Sequence, residues 1–159
     1  MKLTSHSVSE TIKIGKMIAS LLKRGDIVCL VGQLGSGKTV LTKGIASAFG
    51  INKDKITSPT FIIVRGHFGK ENLAFYHFDL YRVNSVDEII ALGYEEYFYG
   101  NGITVVEWAD RLNELIPKEY LKIKLCCRKD SQRQIELSAV GKRYEELIDS
   151  LKRVCRLTG

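Results

Sequence analysis

Gly32-Gln-Leu-Gly-Ser-Gly-Lys-Thr39 matches the pattern G-x-x-x-x-G-K-[ST] of a phosphate-binding loop, or P-loop. An uninterrupted apolar run, 27–31, precedes it and has the composition of a central parallel strand that is covered on both faces. The helix predicted after the motif runs from Lys38 to about Phe49, where Gly50 ends it. A strand, a glycine-rich loop and a helix in this order predict an α/β fold whose loop binds phosphate groups.

Each residue type in the motif has a physical role in binding phosphate. The glycines permit backbone conformations that a Cβ would resist, so consecutive N–H groups can point at phosphate oxygens. The positive end of the following helix dipole strengthens this field. Lys38 is placed to contact the β- and γ-phosphates, and the Thr39 hydroxyl is placed to coordinate Mg²⁺. The nucleotide-binding residues predicted in this segment are Gly32, Gly35, Ser36, Gly37, Lys38, Thr39 and Val40.

The composition is typical of one soluble globular domain. Hydrophobic residues make up 45% of the chain and charged residues 26%, and no repeat or linker marks a boundary, so residues 1–159 are predicted to form a single domain. The apolar runs are too short to span a bilayer, and the first residues lack the apolar core of a signal peptide. We therefore expect a cytoplasmic protein without membrane contact. The net charge of +6 suits an anionic partner such as a nucleotide or RNA.

Part of the positive charge is concentrated near the C-terminus, in a segment that should form an amphipathic helix over 142–156. Its basic residues are Lys142, Arg143, Lys152, Arg153 and Arg156. The spacing is typical of a solvated helix face, and a weak or indirect contact with tRNA is the alternative.

The remaining pattern predicts an α/β arrangement with a mostly parallel central sheet, helices on both faces and a C-terminal antiparallel hairpin. Ser7 and Glu10 have capping-box spacing and should begin a helix that runs to about Arg24. Ser85 and Glu88 should begin another. The last two predicted strands alternate apolar and polar residues, which indicates a hairpin with a polar turn at 129–132. The predicted strands are 27–31, 73–79, 103–106, 121–125 and 135–139.

Two carboxylates at strand ends are candidates for the metal side of the site. Asp79 ends one apolar run and Glu107 ends another, so both should lie at the carboxyl edge of the sheet, where open α/β sheets bind ligands. One would bind Mg²⁺, directly or through water, and the other would orient the attacking water. The sequence leaves open which carboxylate does which. Lys38, Asp79 and Glu107 are the predicted catalytic residues, and Thr39, Asp79 and Glu107 the predicted metal ligands.

Other P-loop classes fit the sequence less well. A GTPase should carry N-K-x-D, but 52–55 has its Asp one place early, and 79–82 lacks the glycine of D-x-x-G. A small-molecule kinase usually needs a lid with several arginines, whereas the segment between Asp79 and Glu107 contains only Arg82. A P-loop phosphotransferase is therefore retained as the alternative function, and a module that ATP merely gates is a third hypothesis.

The order and spacing of four motifs resemble the TsaE family, also called YjeE. These are the P-loop, Ser58-Pro-Thr-Phe61, Tyr76-His-Phe-Asp-Leu-Tyr-Arg82 and Val106-Glu-Trp-Ala-Asp-Arg111, and the likeness covers about 9–141. The family contains the bacterial ATPases of the machinery that makes threonylcarbamoyladenosine at position 37 of tRNAs. The resemblance implies a compact P-loop domain, ATP and Mg²⁺ as cofactors, slow ATP hydrolysis, and TsaB and TsaD as protein partners whose turnover the ATPase resets.

The resemblance also implies roles for particular residues. Thr39 and Glu107 would hold Mg²⁺, and Asp79 would be the Walker B-like carboxylate. The loop 58–61 would face the γ-phosphate, with Thr60 offering a hydroxyl, and Thr11 and Arg133 match family positions near the base and ribose. Two further expectations come from the residues alone. Trp108 directly follows Glu107 and would either pack beside the nucleotide or lie in the core, and His77 has no second histidine at ligand spacing, which favours a structural role. Outside the P-loop, the predicted nucleotide-binding residues are therefore Thr11, Thr60, Arg133 and, if its ring packs beside the nucleotide, Trp108.

Overall fold

A computed structural model describes residues 1–58, 62–128 and 132–157 of the chain. They form one seven-stranded sheet with the strand order β1-β7-β6-β2-β5-β4-β3, in which β6, β2, β5 and β4 run parallel and the outer pairs are antiparallel. The mostly parallel centre and the C-terminal hairpin of β6 and β7 are thereby confirmed. The strands are β1 (Lys2–Ser5), β2 (Ile27–Gly32), β3 (Val64–Phe68), β4 (Ala74–Asp79), β5 (Ile103–Glu107), β6 (Tyr120–Cys127) and β7 (Arg133–Val140).

Helices cover both faces of the sheet, as the sequence predicted. The helices are α1 (Val8–Ala19), α2 (Lys38–Ala48), α3 (Val86–Ile90), α4 (Tyr94–Phe98) and α5 (Lys142–Leu157), with 3-10 segments at Lys53–Lys55, Lys70–Asn72 and Ala109–Leu115. Helices α1, α2 and α5 pack in one apolar cluster, and α3, α4 and the last 3-10 segment pack in the other. Within the ranges that the structure describes, no helix is both long and apolar enough to cross a membrane.

The central strand β2 explains why its sequence is apolar at every position. Val28 and Leu30 point into the cluster that holds α1 and α2, whereas Ile27 and Cys29 point into the opposite cluster. All four side chains are buried because helices lie on both sides. The P-loop therefore starts from a rigid strand in the middle of the sheet.

Helices α1 and α2 approach each other backbone to backbone. A Cβ added at Gly44 would lie 2.5 Å from the carbonyl oxygen of Ile12 and 3.0 Å from the Cα of Gly15. A Cβ added at Gly15 would lie 2.6 Å from the carbonyl oxygen of Leu41. The two glycines thus set the position of α2, which begins at the P-loop.

Helix α1 and three elements that were not predicted, the edge strands β1 and β3 and the short helix α4, differ from the sequence prediction. Helix α1 ends at Ala19, not near Arg24, because the amides of Leu21 and Leu22 donate to carbonyls three residues back and form a tighter turn. Leu22 is buried in that turn, so the apolar pattern continues beyond the last helical residue and made the predicted helix too long. The edge strands β1 and β3 were not predicted, because each is short, mostly polar or half-exposed, and paired on one side only.

Candidate functional site

A cavity of about 300 Å³ lies where the P-loop meets the carboxyl ends of β4 and β5. It brings together most of the residues that the sequence predicted for the site. Those that line it are Gly35, Gly37, Lys38, Thr39, Val40, Asp79, Glu107, Trp108 and Arg133. Ser58 and Tyr81 also line it.

The backbone of the loop is the kind that glycine permits. Gly32 has a φ of 149°, and a Cβ there would lie 2.3 Å from the carbonyl oxygen of Leu125. Gly37 has a φ of 101° and is the N-cap of α2. Because the first N–H groups of a helix have no partner inside it, this end of α2 provides donors and a positive dipole end to the cavity. The Ser36 hydroxyl is buried beside the loop and has no hydrogen-bond partner among the described residues.

Lys38 is folded back onto its own loop. Its Nζ donates to the carbonyl oxygens of Gly32 at 2.8 Å and Gln33 at 2.9 Å, and lies 3.7 Å from the ring centroid of Trp108. Burial lowers the pKa of Lys38, and the charges of Glu107 and then Asp79 oppose that shift. The ammonium group is therefore held close to the phosphate cavity by acceptors that a charged phosphate could replace.

Glu107 is buried beneath the start of α2 and accepts three side-chain hydrogen bonds. Thr39 Oγ1 donates to Oε2 at 2.8 Å, while Thr42 Oγ1 donates to Oε1 at 3.3 Å. His77 Nε2 lies 2.7 Å from the same Oε1. The side chain of Glu107 is 2% exposed and that of His77 is 0% exposed. The carboxylate is thus fixed in one orientation by helix α2 on one side and strand β4 on the other.

Asp79 lies beside Glu107 because the two residues are register partners on neighbouring parallel strands. The backbone N–H of Tyr81 donates to Asp79 Oδ1 at 2.9 Å, and the Ser58 hydroxyl donates to Oδ2. Asp79 is 3% exposed. The two acids therefore face different neighbours: Glu107 contacts the P-loop helix, and Asp79 contacts Ser58 and the backbone of Tyr81.

Trp108 lies at the cavity in a strained conformation. Its backbone is left-handed, with φ 60° and ψ 41°, which costs an L-residue roughly 1–2 kcal/mol. Its ring is 5.0 Å from that of Tyr81, and the guanidinium of Arg111 is 5.7 Å from the Tyr81 ring. Sequence left open whether this indole belongs to the core or to the site, and the structure puts it under the ammonium of Lys38.

Some predicted site residues lie away from the cavity lining or outside the described ranges. Thr11 is fully buried in α1, where its hydroxyl bonds to the carbonyl of Ser7 at 3.1 Å and to the hydroxyl of Ser5 at 2.7 Å. Gly32 supplies a carbonyl to Lys38. Thr60 and the rest of the 59–61 segment lie outside the residues that the structure describes, as does most of the 129–132 turn. The nucleotide contacts assigned to these residues stay predictions.

Two residues that contact Glu107 were not connected with it from the sequence. Thr42 is three residues after Thr39, so both hydroxyls lie on the same face of α2. His77 is two residues before Asp79, so both side chains lie on the same face of β4. Once Thr39 and Asp79 had been assigned to the site, the helical and strand periodicity would have identified Thr42 and His77 as residues on the same faces.

The basic C-terminal segment has one member that is not part of a solvated face. Arg143 donates to both oxygens of Asp26, at 2.6 and 3.1 Å, and to the carbonyl of Leu21. A cavity of about 810 Å³ lies beside this ion pair, near the start of β2. Although it is larger than the P-loop cavity, its aspartate and arginine are already paired with each other, so the smaller cavity is the better candidate for chemistry.

The donor set fits Mg²⁺ bound together with phosphate. In the part of the chain that the structure describes, no group of three or more His, Cys, Asp or Glu side chains could hold a metal ion alone. Mg²⁺ usually takes one or two carboxylates, with substrate phosphates and water completing its coordination. Thr39 Oγ1 and Glu107 Oε2 lie together at the loop and provide suitable oxygen ligands.

Comparison with known proteins identifies the family. Residues 5–135 match the model of the family described as Threonylcarbamoyl adenosine biosynthesis protein TsaE. The chain is 41% identical to the Bacillus subtilis tRNA threonylcarbamoyladenosine biosynthesis protein TsaE, covering 96% of this chain and 94% of that one. It is 36% identical to the Treponema pallidum protein of the same name, covering 87% and 100%.

A solved structure shares the fold. The crystal structure of Bacillus subtilis YdiB superposes with a TM-score of 0.79 at 38% identity, covering 96% of this chain and 94% of that one. The resemblance that the four motifs indicated is thereby confirmed, together with the P-loop α/β architecture. The chain belongs to the TsaE family, which takes part in the biosynthesis of threonylcarbamoyladenosine in tRNA.

Proposed function

We propose that this chain binds ATP with Mg²⁺ in the P-loop cavity, hydrolyses it slowly, and supports tRNA threonylcarbamoyladenosine formation by acting on a complex of TsaB and TsaD. The observation that carries the proposal is the meeting of Lys38 and Thr39 with Asp79 and Glu107 in one cavity. A lysine, a hydroxyl and two acids at a helix start form the set that phosphoryl transfer from a nucleoside triphosphate requires.

The P-loop supplies the positive field. The N–H groups at the start of α2 bind phosphate oxygens, and Lys38 exchanges its carbonyl and indole contacts for the β- and γ-phosphates. These groups stabilise the charge that develops on the γ-phosphoryl oxygens. Arg133 packs over the loop, since a Cβ at Gly37 would lie 2.9 Å from its Nε, and it lines the same cavity, which supports contact with a nucleotide bound there.

The two carboxylates have different neighbours, which supports different roles. Thr39 and Glu107 contact each other and would hold Mg²⁺, which neutralises charge on the phosphates when it is bound. Asp79 is turned towards Ser58 and the backbone of Tyr81, so it would orient the attacking water or a water bound to the metal.

Calorimetry with ATP and MgCl₂ tests the site. The wild-type protein should release heat on binding, and Lys38→Ala should lose nearly all affinity. Lys43→Ala is a matched control, because Lys43 is on the same helix but is not among the described residues that line the cavity. Retained tight ATP binding in Lys38→Ala would refute the assignment of the site.

Phosphate release tests the activity. We expect slow release by the chain alone and faster release with TsaB and TsaD, whereas fast hydrolysis by the isolated chain would contradict the proposal. Glu107→Gln separates an ATPase from a module that ATP merely gates. If the variant binds ATP but cannot hydrolyse it, a pure gate would still support threonylcarbamoyladenosine formation, and an ATPase cycle would stop.

A further inference from the structure

We infer that His77 is a positioning residue that fixes Glu107 with Oε2 facing the metal side of the site. This inference rests on the proposed function. His77 Nε2 is 2.7 Å from Glu107 Oε1, and both side chains are buried. Histidine and glutamate come from neighbouring strands, β4 and β5, so the contact is built into the sheet.

The direction of this hydrogen bond follows from the chemistry of the pair. An ionised carboxylate can only accept, so the proton between the two side chains belongs to Nε2 of His77. The other ring nitrogen, Nδ1, is buried and has no hydrogen-bond partner among the described residues. With its proton on Nε2 the ring donates to Glu107, and no buried N–H is left at Nδ1 without an acceptor.

The three donors give the two oxygens of Glu107 different roles: Oε1 is held by buried protein donors, and Oε2 faces Thr39. Oε1 accepts from His77 and Thr42, which are both fully buried and do not line the P-loop cavity. Oε2 accepts from Thr39, the residue whose hydroxyl is the other proposed metal ligand. With Oε1 occupied by two protein donors, Oε2 is the oxygen left to bind a metal ion beside Thr39.

Loss of the imidazole donor would release this orientation. A carboxylate that is 2% exposed and loses one of three donors must rotate, recruit another donor or take up a proton. Partners that orient metal ligands typically change metal affinity by about 10- to 100-fold when they are removed. The effect should fall on the Mg²⁺-dependent part of ATP binding and spare the part that the P-loop amides and Lys38 supply.

Calorimetry of ATP binding in EDTA and in excess MgCl₂ separates these two parts. For His77→Leu, which removes the donor, the ratio of the two affinities should fall by about 10-fold or more, while the affinity in EDTA changes by less than about 2-fold. His77→Gln keeps an N–H donor and should recover most of the ratio. His67→Leu, on the half-exposed edge strand β3, is the matched control and should keep the full ratio. An unchanged ratio in His77→Leu would overturn the inference.

A measurement on the wild-type protein keeps the inference testable if His77→Leu does not fold. Nitrogen-15 NMR of the histidine side chains should show His77 with its proton on Nε2, both without ligand and with ATP and Mg²⁺. A proton on Nδ1 with a bare Nε2 would overturn the inference. Absence of ATP binding by the wild-type chain would instead refute the proposed function, so the two failures are distinguishable.

Discussion

Replacement of Gly44 by alanine tests whether the contact of α1 with α2 positions the P-loop helix. Helix propensity alone predicts stabilisation by about 1 kcal/mol, because alanine is favoured over glycine inside a helix. Steric overlap predicts the opposite, because the new Cβ would lie 2.5 Å from the carbonyl oxygen of Ile12 and 3.0 Å from the Cα of Gly15. These are backbone atoms that cannot rotate aside, so the cost should reach the upper end of the overpacking range, about 3 kcal/mol. The net expectation is destabilisation by about 2 kcal/mol.

Urea unfolding followed by circular dichroism measures this difference as a lower midpoint with an unchanged slope. The same variant should bind ATP more weakly, because a shift of α2 away from α1 would also move the helix start that carries Lys38 and Thr39. Ala48→Gly, at an exposed position of the same helix, measures propensity without overlap and should destabilise by about 0.5–1 kcal/mol or less. A Gly44→Ala protein as stable as the wild type or more stable would refute the steric argument.

Two further predictions concern stability. Burial raises the pKa of the Cys29 thiol from 9.0 to about 12 and that of the Tyr144 phenol from 10.0 to about 12. The folded protein therefore keeps protons that the unfolded chain loses, so their contribution to the free energy of unfolding is complete below pH 9.0 and is lost as the pH rises towards 12. In urea titrations across this range, Cys29→Ala should show a shallower decline. Arg143→Met should destabilise by about 2–4 kcal/mol, since it leaves Asp26, at 6% exposure, without its cation, and adding Asp26→Asn should recover part of that loss.

The fold was largely predictable because its central elements carry strong local signals. The apolar strand 27–31, the glycine pattern of the loop and the alternating residues of the hairpin each point to one structure. The edge strands were not predictable in the same way. Lys2–Ser5 and Val64–Phe68 have too few buried positions to create a periodic pattern, and they are strands because neighbouring strands offer them hydrogen-bond partners.

The sequence was enough to predict which residues form the site, but not which hydrogen bonds they make with one another. Strand-end position was enough to choose Asp79 and Glu107, because parallel strands bring their carboxyl ends to one edge. Their hydrogen-bond partners depend on the distance between helix α2 and the sheet, which no local pattern encodes. His77 was therefore given a structural role, although it lies 2.7 Å from one of the acids.

The contacts of Lys38 bear on how nucleotide binding would begin. The ammonium is held by two carbonyl dipoles and the face of an indole, all of which are weaker partners than a doubly charged phosphate group. A phosphate group should therefore replace the two carbonyls and the indole as the partner of Lys38. The ammonium is already partly removed from bulk water, so this exchange does not carry the full cost of desolvating it. Once Lys38 leaves the ring of Trp108, the indole keeps Arg111 at 5.9 Å but loses the nearer ammonium, which is one of the contacts that hold its strained backbone. We therefore expect ATP binding to shift the paired rings of Trp108 and Tyr81. The surface that these rings form would then differ between the ATP-bound and the ATP-free protein.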